Sequence, residues 1–195
     1  MKLMSNFELR MKLDLASSVE ERREFIISNA VFKGFMRGQD IWDDSYCLSI
    51  LTSDGRFTFF NADTEEVDES EIQLIEYIHL IYAHSAWHEF RDNIVSLHMP
   101  SGLVEISSCM FESFHRLEDV QLSSSLRAIR KFAFNNCPSL KHVTIPCNVW
   151  RIDDTAFLRC RSLQSCLFAG KSISEVEGMH GYPFGIPPDC MICTF

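Results

Sequence analysis

Two histidines four apart, His84 and His88, with His79 just before them, are the first residues whose types and spacing suit a chemistry. On a helix they face the same way and can offer two ligands to one metal ion. Glu89 follows His88, but the His-Glu-x-x-His order of zinc proteases is absent, and no third ligand is placed by spacing. Polar residues on an amphipathic helix explain them more simply. Cys190-x-x-Cys193 has redox or zinc-like spacing. Zinc needs four ligands, and no second pair of that spacing exists. A redox pair belongs at a helix N-terminus, whereas this one falls in a predicted strand after Pro187-Pro188, where residues three apart face opposite sides. Ser123–Ser125 sit in a predicted turn, with no Gly-x-Ser-x-Gly elbow and no Gly-rich phosphate loop anywhere. The residues therefore call for no cofactor and no resident metal, and no catalytic set is expected.

The charge balance narrows the partners. Residues 1–93 carry 18 acidic and 9 basic side chains, a net of −9, while residues 94–195 carry 9 of each. An acidic half and a neutral half disfavour a nucleic-acid backbone as the ligand. No apolar run approaches the ~20 residues of a membrane span, and the first residues lack the apolar stretch of an export signal. Eight cysteines without such a signal read as free thiols, and a cytoplasmic location is expected.

The elements that position any site come from a repeat. At a period of 23, Leu97, Val120 and Val143 share a column, and Met99, Leu122 and Ile145 the next. Leu103, Leu126 and Val149 follow, then Ile106, Ile129 and Ile152, then Met110, Ala133 and Ala156. Phe111, Phe134 and Phe157 form the sixth column; Phe114, Cys137 and Cys160 the seventh; Leu117, Leu140 and Leu163 the eighth. One such unit cannot bury its own apolar face, so neighbours must stack and turn each column into an internal ladder. The x-Val-x-Ile-Pro stretch predicts a short strand with alternate residues inward, ended by Pro100 and Pro146. Because Phe114 shares their column, Cys137 and Cys160 read as packing residues.

The segments LSSSLRAIRKFAFNNCPSLKHVTIP and CNVWRIDDTAFLRCRSLQS resemble BspA-type leucine-rich repeats: strand, then Ile, Ala-Phe, Cys and Ser-Leu. The resemblance is close over about 94–165 and weaker to 195, where HGYPFGIPPDCMICTF looks like a terminal unit with a last strand near Cys190–Thr194. It implies a non-enzymatic surface for protein–protein contact, often on cell surfaces.

Residues 1–93 show no such period and resemble no family. Phe7–Leu15 alternates, as a strand does. Ser17-Ser18-Val19-Glu20-Glu21 offers capping boxes for a helix with Val19, Phe25, Ile26, Ala30, Val31, Phe35 and Met36 on one face, ending near Gly34 or Gly38. Tyr46–Thr52 and Arg56–Phe60 predict a hairpin through Asp54-Gly55. Asp68-x-x-Glu71 opens a second predicted helix, reaching about Phe90 with Ile72, Ile75, Ile78, Ile81 and Tyr82 inward. The chain is thus expected to be α+β: an acidic α+β domain over 1–93 caps a short leucine-rich-repeat solenoid of about four 23-residue units over 94–195.

Between the inward residues of each repeat strand lies one outward residue: His98, Gln121, Thr144 and Leu167. Ser96, Asp119, His142 and Ser165 flank them. These rows, with Asp119 and His142 beside the first four, are the expected partner-binding face, the partner being another protein. A surface adhesin, or a metal or redox regulator using His84/His88 or Cys190/Cys193, are the alternatives.

Overall fold

The computed structural model describes residues 6–37, 46–62, 72–74, 91–99 and 103–195. His84, His88, most of the second predicted helix and Pro100 lie outside these residues. Two helices open the chain, α1 (Asn6–Leu15) and α2 (Val19–Ser28), followed by strands β1 (Ala30–Arg37), β2 (Tyr46–Thr52), β3 (Arg56–Ala62) and β4 (Ile72–Leu74). The repeats then supply β5 (Ser96–His98), β6 (Glu105–Ile106), β7 (Asp119–Gln121), β8 (Ala128–Ile129), β9 (His142–Ile145), β10 (Arg151–Ile152) and β11 (Ser165–Phe168). A five-residue helix α3 (Ile173–Glu177) and strand β12 (Met191–Thr194) complete it.

The strand of each repeat stacks parallel on the next, and Pro146 follows directly on β9 as expected. All of them join a nine-stranded sheet ordered β12-β11-β9-β7-β5-β3-β2-β1-β4. A second, three-stranded ladder β10-β8-β6 runs through the Ile106, Ile129 and Ile152 column. Between the two sheets lies one apolar core holding all eight columns, with Met99 and Leu122 packed at its rim. Phe134 stacks on Phe111 at 5.5 Å and on Phe157 at 5.4 Å, its ring nearly parallel to both. Cys137 and Cys160 each donate their thiol to a main-chain carbonyl one rung back, of Phe111 and Phe134. Turns between the columns carry non-glycine residues at positive φ that recur with the period: Ser113, Asn136 and Arg159, and Cys109 and Phe132.

The N-terminal segment departs from expectation in three places. Phe7–Leu15 is helix rather than strand: Leu9 and Leu13 are buried, a spacing of four that fits one helix face, while Met11 and Leu15 are exposed. Helix α2 begins at the Ser18 cap, whose hydroxyl accepts from the Glu21 amide, but ends at Asn29 and not near Gly34 or Gly38. Residues 30–37 are instead a strand paired antiparallel with β2, because the aromatic and β-branched run satisfies its backbone in the ladder. Ile72–Leu74 is likewise strand, parallel to β1, where a helix was expected. The β2–β3 hairpin forms as predicted around Gly55 at φ +83, a conformation L side chains avoid.

This hairpin is the joint between the two parts. β3 pairs parallel with β5, setting Phe57 beside Leu97 and making both strands part of one sheet. Leu51 and Phe57 enter the solenoid core from one side of the hairpin. On the opposite side, Leu48 and Ile50 pack with Leu9, Leu13 and Ile26 of the helices, forming a second small core. The helices therefore cover the outward side of the sheet at β2, and the hairpin covers the apolar end of the first repeat.

Candidate functional site

The outward residues of the large sheet come into register as two rows. One runs Ser96, Asp119, His142, Ser165, each opposite the next across neighbouring strands. In the other, His98 stands opposite Gln121, and Thr144 opposite Leu167. Asp119, Gln121, His142 and Thr144 are exposed, and His98, Ser96, Leu167 and Ser165 half-buried. Alternation places them there: Leu97, Val120, Val143 and Cys166 between them are all buried.

Two contacts tie rungs together. His98 Nδ1 and Gln121 Oε1 lie 3.0 Å apart, and His142 Nδ1 and Ser165 Oγ 2.8 Å. Burial lowers the pKa of His98 below the imidazole norm, and the Arg56 charge acts the same way. The Gln121 contact, Asp119 and Asp54 act in the other direction. His98 is thus a neutral hydrogen-bonding group at neutral pH rather than a fixed charge.

Both rows continue beyond the residues that the period marks. Arg56 stands opposite Ser96, and Thr58 opposite His98, on β3. Met191 stands opposite Ser165, and Cys193 opposite Leu167, on β12. Sequence reasoning missed these four because the period breaks at both ends: Arg56 precedes Ser96 by 40 residues, and Met191 follows Ser165 by 26. At the β3 end, Thr58 Oγ1 and Arg56 Nε are buried without a hydrogen-bond partner.

The repeat itself decides the family. A family model for the BspA type leucine rich repeat region matches residues 83–179 in 6 copies. The repeat half of this chain belongs to the BspA-type leucine-rich-repeat family. Among solved structures, a leucine-rich repeat protein from Eubacterium ventriosum is similar at 14% identity and a TM-score of 0.45, covering 83% of this chain and 40% of that one. A leucine rich cell surface protein from Faecalibacterium prausnitzii is similar at 20% identity and a TM-score of 0.38, covering 69% of this chain and 41% of that one. The chain therefore spans about two fifths of the length of either. No curated protein matches.

In the BspA-type repeats, sulfur is placed for packing. Burial holds the Cys137 thiol well above its usual range. Burial, helped by Asp189, Cys193 and Cys160, pushes the Cys190 thiol up to about 11. For the Cys190-x-x-Cys193 spacing, redox chemistry needs the opposite shift at Cys190. Among the described residues, Cys109, Cys137, Cys147, Cys160, Cys166, Cys190 and Cys193 form no disulfide, and no group of three or more His, Cys, Asp or Glu side chains is arranged to hold a metal ion. No helix among them is long and apolar enough to cross a membrane.

Proposed function

We propose that this chain is a non-enzymatic protein–protein interaction module that binds its partner through the open face of the large sheet. The supporting observation is the pair of outward rows: ten side chains on five strands in register, none of them part of the solenoid core's buried columns. His98, Gln121, Thr144 and Leu167, with Asp119 and His142, are the contact residues. Their backbone is already fixed by the ladder, so little ordering is needed on binding. The N-terminal segment acts as the cap that covers the first repeat and bounds the face.

The test compares wild type with a Gln121→Arg, Thr144→Arg double variant in affinity capture from native cells. Both positions are exposed, so the variant should melt as wild type does while partner recovery falls at least tenfold. A partner held equally by both proteins would show that another surface is used.

A further inference from the structure

The two ladders treat their charged side chains differently. On the small ladder Glu105 pairs with Arg130 at 2.6 Å, and Arg151 with Asp153 at 2.9 Å. In the outward rows of the large sheet the fixed charges are Arg56 and Asp119. Among the described residues neither of these side chains makes a hydrogen bond or an ion pair. Asp119 is exposed, and water serves it. Arg56 is half-buried, and its Nε is closed to solvent without an acceptor. Two positions along the same face of β3, Thr58 is 7% exposed, and its Oγ1 is also buried without a partner. Folded chains seldom leave one buried polar group unsatisfied, and here two are neighbours on one strand.

The chain's own carboxylates do not serve this place. Asp54 Oδ1 accepts from the Thr52 hydroxyl and from the Arg56 amide, at the turn. Asp119 lies two strands from Arg56, about 10 Å away. What surrounds the two orphaned groups suits an anion. Arg56 stands opposite Ser96, and Thr58 opposite His98. The Ser96 hydroxyl is half-buried and makes no hydrogen bond among the described residues. His98 turns its Nδ1 to Gln121 Oε1, and burial favours its neutral ring, so Arg56 carries the charge of this patch. A carboxylate answers this set: it offers acceptors alone, it neutralises one guanidinium, and it can take two parallel bonds from it. A phosphate fits less well. It brings up to two negative charges against one cation, and the amides it would need are held in the ladder.

Resting on the interaction reading above, we infer that Arg56, with Thr58 and Ser96, is the subsite that receives a carboxylate of the partner, an aspartate or glutamate side chain, at the polar end of the open face. Proteins break the rule of polar satisfaction at functional sites and keep it elsewhere. A place held for a ligand group accounts for both orphaned atoms at once.

The probe is a phage-displayed library of random peptides, selected on the full chain. Enriched peptides should share an acidic residue, and changing it to its amide should raise Kd at least tenfold. Arg56→Gln should raise the Kd of the acidic peptide by the same factor and leave that of the amide peptide unchanged. Added salt should weaken the acidic peptide alone. Thr58→Val should weaken binding several-fold while melting at or above the wild-type temperature, because the methyl group replaces an unsatisfied hydroxyl. A lower Tm with unchanged binding would instead assign Thr58 to the fold. Because Arg56 lowers the pKa of His98, the acidic peptide should raise the His98 titration followed by NMR, and the amide peptide should not. Peptides without a shared acid, or acid-dependent binding that survives Arg56→Gln, would overturn the subsite. Should no peptide enrich, the natural partner decides: equal recovery by Arg56→Gln and wild type overturns the subsite. If Gln121→Arg, Thr144→Arg still loses that partner, the face stands without the subsite. If that variant also retains the partner, the interaction reading falls too.

Discussion

His98 is the residue of the open face whose ionisation is coupled to folding. It is half-buried, it contacts Gln121 Oε1 through Nδ1, and burial, then Arg56, lowers its pKa against the pull of Gln121, Asp119 and Asp54. The sign follows from linkage. In the unfolded chain the imidazole protonates near its ordinary pKa of about 6.5, and in the folded chain only at lower pH. The contribution to stability is complete above the unfolded pKa and is lost as the pH falls below it toward the folded value. His98→Gln, which has no titrating group, should therefore lose less melting temperature than wild type between pH 7.5 and pH 5. Thermal melts of both proteins across that range measure it, and parallel pH slopes would show that His98 does not titrate in the way its surroundings require. The neighbouring His142 contacts Ser165 at the exposed edge of the same face, so its replacement is a natural comparison.

At the scale of elements, legibility depended on how many independent constraints each segment carried. The repeat strands were plain from the residues because eight columns had to agree over three units, and every column stands at or in the core. The hairpin was plain because Asp54-Gly55 requires a φ that few residues adopt. Helix α1 was not: Leu9 and Leu13 satisfy both a period of two and a spacing of four, and the tie is broken only by the packing of Ile26, Leu48 and Ile50 against them. Residues 30–37 continue an apolar spacing that a helix also shows, and only pairing with β2 decides for strand. Strands β6, β8 and β10, two residues each, and the capped helix α3 are too short to be read as elements, although Ile106, Ile129 and Ile152 mark the column of that ladder. Of the candidate face, the middle was legible and the ends were not, since Arg56, Thr58, Met191 and Cys193 lie off the period. The ladder reading has a direct check in Phe134, fully buried and stacked on both sides. Phe134→Ala should destabilise by about 3–5 kcal/mol through lost burial and the cavity left behind. For a chain of this size that lowers Tm by roughly 6–20 °C, measurable by circular dichroism, and an unchanged melt would mean the column does not form.

For the whole molecule, the question is whether cap and repeats are one folding unit. A solenoid couples each repeat to its neighbours, so an end left open weakens the units behind it. Here β3 is hydrogen-bonded to β5, the Val95 amide donates to the Gly55 carbonyl at 2.7 Å, and Phe57 and Leu51 share a core with Leu97, Val120 and Phe134. A methyl group added at Gly55 would meet the Asn93 carbonyl oxygen at 2.7 Å and Val95 at 2.8 Å, which shows how closely the joint is packed. Phe57→Ala should therefore do more than loosen its own hairpin. Hydrogen exchange followed by mass spectrometry should show faster amide exchange in β2 and β3 and, through the shared core, in β5 and β7. Its Tm should fall in a single transition, as that of Phe134→Ala should. If β2 and β3 opened while β5 and β7 kept wild-type protection, the hairpin would be an appendage, and the face bounded by α1 and α2 would lose its fixed edge. If all four strands respond together, the cap holds the first repeat in place, and the polar end of the open face is as rigid as its middle.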